Sequence, residues 1–251
     1  MIIGFKYDKG SKLPGASLAP VKYVETSQVY SNKLEKLLLI DDISNLSDEE
    51  VEDELKCSIR NNNISLAIGG DHSISYVLGK TLRRKNSCLI IFDAHIDYFP
   101  NCSKKIKNWN FIEYTLEFYE KVIVLGSRNY EFKGREGSNS KIKVISSHEI
   151  FENIEEVIKV VYEEVEGIQS IYLSIDMDVL DPAFFNSVSY PLIGGITMNE
   201  LLYFLRLIFG TKKVYFCDIV EYNPMVGDDN SYYFYQFVYY CRMLMEKSHI
   251  E

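Results

Sequence analysis

The chain has 251 residues, 47% of them apolar and 25% charged, with a net charge of −9. That balance excludes a disordered chain or a membrane-embedded one, and an acidic surface argues against a nucleic-acid partner, because phosphates need a basic face. The five cysteines are scattered, odd in number and without a CxxC pair; with no charged leader and no apolar run near the ~20 residues of a bilayer span, the expectation is a cytoplasmic protein with reduced thiols and no membrane partner.

In chain order, Ile2–Phe5 reads as a first strand and Lys9–Pro20 as a surface loop. Ser47-Asp-Glu-Glu50 is a capping-box pattern, opening a helix to about Ile59. Ile64–Ile68 and Cys88–Phe92 are predicted strands, separated by a helix over Ile74–Arg84. A second surface loop follows at Pro100–Asn110, then strands at Val122–Leu125 and Ile142–Ile145, a helix over Asn153–Val165 and a strand at Ile171–Ile175. A helix over Met198–Phe209, a strand at Val214–Cys217 and a helix over Tyr232–Glu246 complete the pattern. Short, continuously apolar runs are how strands buried on both faces read, and their alternation with helices predicts a mostly parallel sheet covered on both sides. No linker or repeat divides the chain, so one domain over residues 1–251 is expected. In such sheets ligands bind outside the C-terminal ends of the strands.

Three motifs fall at those ends. Asp93-Ala-His95-Ile-Asp97 follows the Cys88–Phe92 strand, and its alternating polar residues converge if the extended geometry persists for a few residues. Asp176-Met-Asp178 follows Ile171–Ile175; two neighbouring carboxylates there repel unless a cation lies between them. Gly69-Gly-Asp-His72-Ser closes the Ile64–Ile68 strand, with glycines suited to a tight turn. Any one cluster could be a turn or a helix cap. Their meeting at three strand ends, with two of only four histidines, points to a metal centre with His72, Asp93, His95, Asp97, Asp176 and Asp178 as ligands. Four carboxylates balance two divalent cations, and carboxylate and imidazole ligation without thiolate suits Mn2+, with Zn2+, Fe2+ and Co2+ as alternatives. His148 and His249 are read as structural or solvated.

These residues resemble, in order, the three metal motifs of the ureohydrolase (arginase, agmatinase and formiminoglutamase) family. Leu13-Pro-Gly-Ala16 through Pro20, Gly194-Gly-Ile-Thr-Met-Asn-Glu200 and Asp218-Ile-Val-Glu221-Tyr-Asn-Pro224 extend the similarity over nearly the whole chain. The resemblance implies a three-layer α/β/α sandwich, two Mn2+ ions, and attack of hydroxide on a guanidinium carbon to release urea and an amine. It implies a small guanidino substrate, or a peptide arginine, and a homo-oligomer, either trimer or hexamer. Glu200 matches the guanidinium-binding glutamate, although Thr197-x-x-Glu200 is also a capping box. Asp97, Glu200 and Asn110 are the candidate catalytic residues. The family's histidine shortly after the D-A-H-x-D motif is missing: arginase-like spacing reaches Asn110 and agmatinase-like spacing Lys107. Asparagine does not titrate, and lysine would need a strongly depressed pKa. That departure, and Asn186-Ser-Val-Ser-Tyr190 in place of a proline-glycine turn, keeps two alternatives open: another C–N hydrolase, formimino or amide, or a non-catalytic metal-binding relative.

Overall fold

A computed structural model of the chain describes residues 1–31, 37–41, 48–128 and 139–248. Its centre is a parallel sheet of eight strands: β1 Ile2–Phe5, β2 Leu37–Ile40, β3 Leu66–Ile68, β4 Ser87–Phe92, β5 Lys121–Ser127, β6 Ile142–Ser146, β7 Ser170–Asp176 and β8 Val214–Val220. The strand order is β2-β1-β3-β8-β7-β4-β5-β6. All the strand pairings are parallel, so the sheet goes one step past the mostly parallel expectation.

Side-chain alternation along the strands builds the layers. In β4, Cys88, Ile90 and Phe92 enter one core with Leu173, Ile175, Val161, Phe204 and Val238. Leu89 and Ile91 enter the other, with Leu55, Ile59, Ile74, Leu78 and Phe111. Helices α1 (Ala19–Tyr30), α6 (Ile154–Glu164), α7 (Met198–Gly210) and α8 (Ser231–Ser248) thus cover one face; α2 (Asp48–Asn62), α3 (Ile74–Leu82) and α4 (Phe111–Thr115) cover the other. This three-layer α/β/α sandwich is the expected fold class. It explains why central strands lack polar alternation: both faces are dry. A short helix α5 (Ser147–Glu152) links β6 to α6, and no described helix is long and apolar enough to cross a membrane.

Helix α1 and strand β2 are among the elements that escaped sequence reading. Helix α1 begins inside the predicted Lys9–Pro20 loop, with proline in its first turn, where the missing N–H costs nothing. Its buried face is Ala19, Pro20, Tyr23, Thr26 and Ser27, too small and polar to show an apolar stripe. Strand β2 lies at the sheet edge, paired only with β1 and partly exposed, so its leucine run carries no strand period. Helix α2 runs three residues past the expected Ile59, while Ser47 of its proposed capping box lies outside the described residues.

Phe204 of α7 packs edge-on against Phe92 of β4, ring centroids 5.7 Å apart, and both side chains are fully buried. Phe204→Ala is expected to lower stability by about 3–5 kcal/mol, read as a lower urea midpoint at unchanged m-value.

Candidate metal centre

The C-terminal ends of β3, β7 and β4 bring six groups together. His72 Nδ1 lies 3.1 Å from Asp93 Oδ2, 3.2 Å from Asp176 Oδ2 and 3.4 Å from Asp97 Oδ2. His95 Nδ1 lies 2.9 Å from Asp178 Oδ2 and 3.5 Å from Asp93 Oδ1. His72, Asp93 and Asp176 form one triplet, and Asp93, His95 and Asp178 a second, each with donor atoms within 4.8 Å of one another; Asp93 belongs to both. His72 Nδ1 and Asp93 Oδ2 are buried without a hydrogen-bond partner although 3.1 Å apart, because the approach lacks hydrogen-bond geometry. Inward-facing lone pairs that ignore each other at that range are what a shared cation requires, and buried polar atoms are otherwise seldom left unpaired. The donor set therefore fits two divalent cations.

One local device places the carboxylates. At or shortly after each strand end lies an aspartate whose Oδ1 accepts the backbone N–H two residues on: Asp71 from Ser73 at 2.9 Å, Asp93 from His95 at 2.6 Å, and Asp176 from Asp178 at 2.8 Å. These are Asx turns, which aspartate forms readily. Asp178 Oδ1 likewise accepts the Ala94 N–H at 3.0 Å. One oxygen is thus spent on the backbone, and Oδ2 of Asp93, Asp176 and Asp178 is left facing an imidazole. Persisting strand geometry, expected for residues 93–97, is not what converges them: β4 ends at Phe92, the chain bends at 94–95, and Asp97 takes a left-handed φ of 50°. At the β3 end Gly70 is required by close approach, since a Cβ there would meet the Tyr7 carbonyl oxygen at 1.4 Å.

Behind His72 stands a network that sequence reasoning missed. His72 Nε2 is 3.0 Å from Ser174 Oγ, which donates to Asp218 Oδ1 at 2.6 Å. Ser75 Oγ donates to Asp218 Oδ2 at 2.8 Å, and the Tyr172 hydroxyl donates to the same oxygen. With Ser174 donating to Asp218, its oxygen is left to accept from Nε2–H, which makes Nδ1 the nitrogen available to a metal, the usual way a second partner orients a ligating histidine. Glu221, also at a left-handed φ (63°), accepts the His72 backbone N–H at 2.9 Å and the Asn108 amide at 3.2 Å. The available signal was Asp218, one charge inside the apolar run Val214–Val220.

Electrostatics follow from crowding. Burial opposes charge on both imidazoles, but the carboxylates override it: His72 is held well above its ordinary pKa by Asp176, Asp93 and Asp97, and His95 is raised to about 12 by Asp178 and Asp93. Burial and the Asp93 charge push Asp97 up to about 7. Burial, then Asp178 and Asp93, hold Asp176 well above the carboxylate range. Asp93, despite burial, is held low by the two histidines. Burial and the neighbouring Asp71 raise Glu221 to about 8. His95 is the most open of the six, its side chain 20% exposed, so the cluster meets solvent there.

The other candidates lie apart from this cluster's contacts. Glu200 sits in the first turn of α7, and its Oε2 accepts the Thr197 N–H at 2.7 Å and the Thr197 hydroxyl at 2.8 Å. Both bonds fall on one oxygen, and Oε1 has no partner among the described residues. Asn110 is fully buried; its Oδ1 accepts the Lys107 N–H at 2.7 Å and its Nδ2 donates to Lys105 O at 3.1 Å, so its amide holds its own loop together. Lys107 Nζ donates to Lys9 O at 2.9 Å. His148 lies on exposed α5, 3.4 Å from Glu152, and His249 is outside the described residues.

A model of the arginase family matches residues 1–240, and the chain belongs to that family. Similar proteins include arginases and an N(1)-aminopropylagmatine ureohydrolase of Thermus thermophilus. An uncharacterized 32.2 kDa protein of Methanothermus fervidus is 31% identical over 184 residues, covering 72% of this chain and 62% of its own length. An arginase of Staphylococcus aureus (strain MRSA252) is 26% identical over 206 residues, covering 72% and 68%. The chain thus spans between three-fifths and seven-tenths of these two relatives. The crystal structure of agmatine ureohydrolase of Thermoplasma volcanium superposes with a TM-score of 0.78 at 22% identity, covering 99% of this chain and 91% of that one, which establishes the common fold.

The raised groups fix how the metal-free protein responds to pH. His95 is raised from 6.5 to about 12, Asp97 from 3.8 to about 7 and Glu221 from 4.5 to about 8, so the folded state binds more protons than the unfolded one across this range. Stability then falls as pH rises. Chelator-treated protein is expected to melt at a lower temperature at pH 8.5 than at pH 6; a melting temperature that rises over that interval would contradict the assignment.

Proposed function

We propose that the chain is a two-metal hydrolase that cleaves a guanidino compound to urea and an amine. The observation that carries this reading is the pair of ligand triplets sharing Asp93. His72, Asp93, Asp97 and Asp176 would hold one Mn2+ and Asp93, His95 and Asp178 the other. When bound, the ions supply Lewis acidity and lower the pKa of water enough for a nucleophile to exist at neutral pH.

The protein's own residues do the rest. Ser174 and Asp218 keep His72 in the tautomer that offers Nδ1. Thr197 fixes the Glu200 carboxylate through Oε2, and Oε1 remains to accept a guanidinium N–H. Cap and substrate ligand therefore use different oxygens of one residue. Asn108, buried and donating to Glu221, is not offered to a substrate α-carboxylate. This favours a guanidino compound without an α-carboxylate beside the reacting chain. The fold family and acidic charge support a homo-oligomer acting in the cytoplasm on a small cationic substrate.

The test is urea release by Mn2+-loaded protein from arginine, agmatine, guanidinobutyrate, guanidinopropionate and an arginine-containing peptide. Turnover is expected on at least one of them, better without the α-carboxylate than on free arginine. Asp176→Ala is expected to lose it entirely, since the first triplet then has two members. No urea from any of them, with two Mn2+ bound per chain, would sink the proposal; formamide, ammonia or a carboxylate as product would move the chain to another C–N hydrolysis.

A further inference from the structure

Arg128 follows β5 and is 3% exposed. Its guanidinium has five N–H donors in a planar fork, stays charged and accepts nothing. All three nitrogens end on backbone carbonyls. Nη2 donates to Asp178 O at 2.8 Å, Leu180 O at 3.1 Å and Leu192 O at 2.8 Å; Nη1 donates to Val179 O at 3.1 Å and Gly126 O at 3.2 Å; Nε lies 3.2 Å from both Leu192 O and Ile193 O. Among the described residues no carboxylate pairs with it. A buried cation held only by peptide dipoles fixes the backbone that supplies them.

What that backbone carries is one half of the metal centre. The Arg128 guanidinium grips the Asp178 carbonyl, and the Arg128 N–H donates at 2.9 Å to the carbonyl of Ala94, the residue between Asp93 and His95. The loop closes when the Ala94 N–H returns to Asp178 Oδ1 at 3.0 Å. One residue thus anchors both chain segments that bear Asp93, His95 and Asp178. The other triplet shares Asp93, but its remaining members have separate supports: Glu221 and Ser174 hold His72, and Asp176 is paired with Val220 across β7 and β8. The same fork packs on Gly195 of the Gly-Gly-Ile-Thr segment, where a Cβ would lie 2.6 Å from Nη2 and 2.3 Å from the Asp181 nitrogen.

We propose that Arg128 is a positioning residue for one metal of the two, setting the Asp93–His95–Asp178 group and leaving the His72–Asp93–Asp176 group to its other supports. This rests on the two-metal reading above. The test is titration of the metal-free full chain with Mn2+ alone, by calorimetry and electron paramagnetic resonance, for wild type, Arg128→Lys and Arg128→Gln. Lysine keeps the charge and most of the stem but loses the fork. Wild type is expected to bind two ions per chain with a spin-coupled signal. Both variants should bind the first ion as wild type does and the second about 10- to 100-fold more weakly, a loss typical of residues that orient ligands. At one equivalent per site their signal should be that of isolated Mn2+. Two wild-type affinities in the variants, equal weakening of both ions, or failure of both variants to fold would each overturn the inference alone. Fewer than two ions on wild type would overturn the two-metal reading and the inference with it.

Discussion

Four aspartates and two imidazoles share a volume that water scarcely enters, and most of the architecture around β3, β8, β7 and β4 follows from making that tolerable. Two like charges about 4 Å apart repel by roughly 4 kcal/mol near a protein surface, and by more in a dry interior. The sheet solves half of the problem geometrically. Asp93, Asp176 and Asp178 each give Oδ1 to a backbone N–H, so Oδ2 turns into the cluster, with Asp93 Oδ1 also 3.5 Å from His95 Nδ1. Parallel order solves the other half: β3, β8, β7 and β4 all end on one side, bringing His72 beside Ser174, 102 residues away in sequence.

That convergence is held from beneath by Asp218. A carboxylate in the middle of a buried strand raises its own pKa through burial, and hydroxyls from Ser174, Tyr172 and Ser75 offset this. Its reward is positional. By accepting from Ser174 it directs the Ser174 lone pair toward His72 Nε2, and so determines which nitrogen of His72 faces the aspartates. The strand interior thus sets the chemistry at the strand end, and a polar group that weakens the core in isolation fixes a tautomer.

Much of this was legible in the sequence, for identifiable reasons. Strands β4, β5 and β7 are apolar on both faces, so their runs stand out, and the aspartates that stop β4 and β7 mark the candidate ligand set. Helix α1 and strand β2 were hidden because one buries alanine, threonine and serine, while the other is a half-exposed edge. The ligand types at 93–97 were readable, but the way they converge was not: a bend and a left-handed Asp97 do what strand alternation was expected to do. The roles of Asp218 and Arg128 were hidden for a different reason, although Asp218 stands out as a charge inside an apolar run. Their roles consist of contacts with residues distant in sequence, such as Ser75 and Leu192, and no local spacing encodes those.

Glu200 shows how a structural and a functional reading can hold together. The Thr197–Glu200 box satisfies helix donors, as any capping box does, and by itself implies nothing beyond the start of α7. Yet a carboxylate proposed to bind a planar cation would benefit from losing its freedom before the substrate arrives, because ordering costs are then met in folding and not in binding. Two bonds to Oε2 from the backbone and hydroxyl of a single threonine hold the group in one orientation, with Oε1 left over. The segment leading into that helix start is itself gripped by Arg128 through Leu192 and Ile193, and the same guanidinium grips Asp178. Arg128 thus ties the segment before α7 to the Asp178 turn, and Gly195 leaves the space that side chain needs.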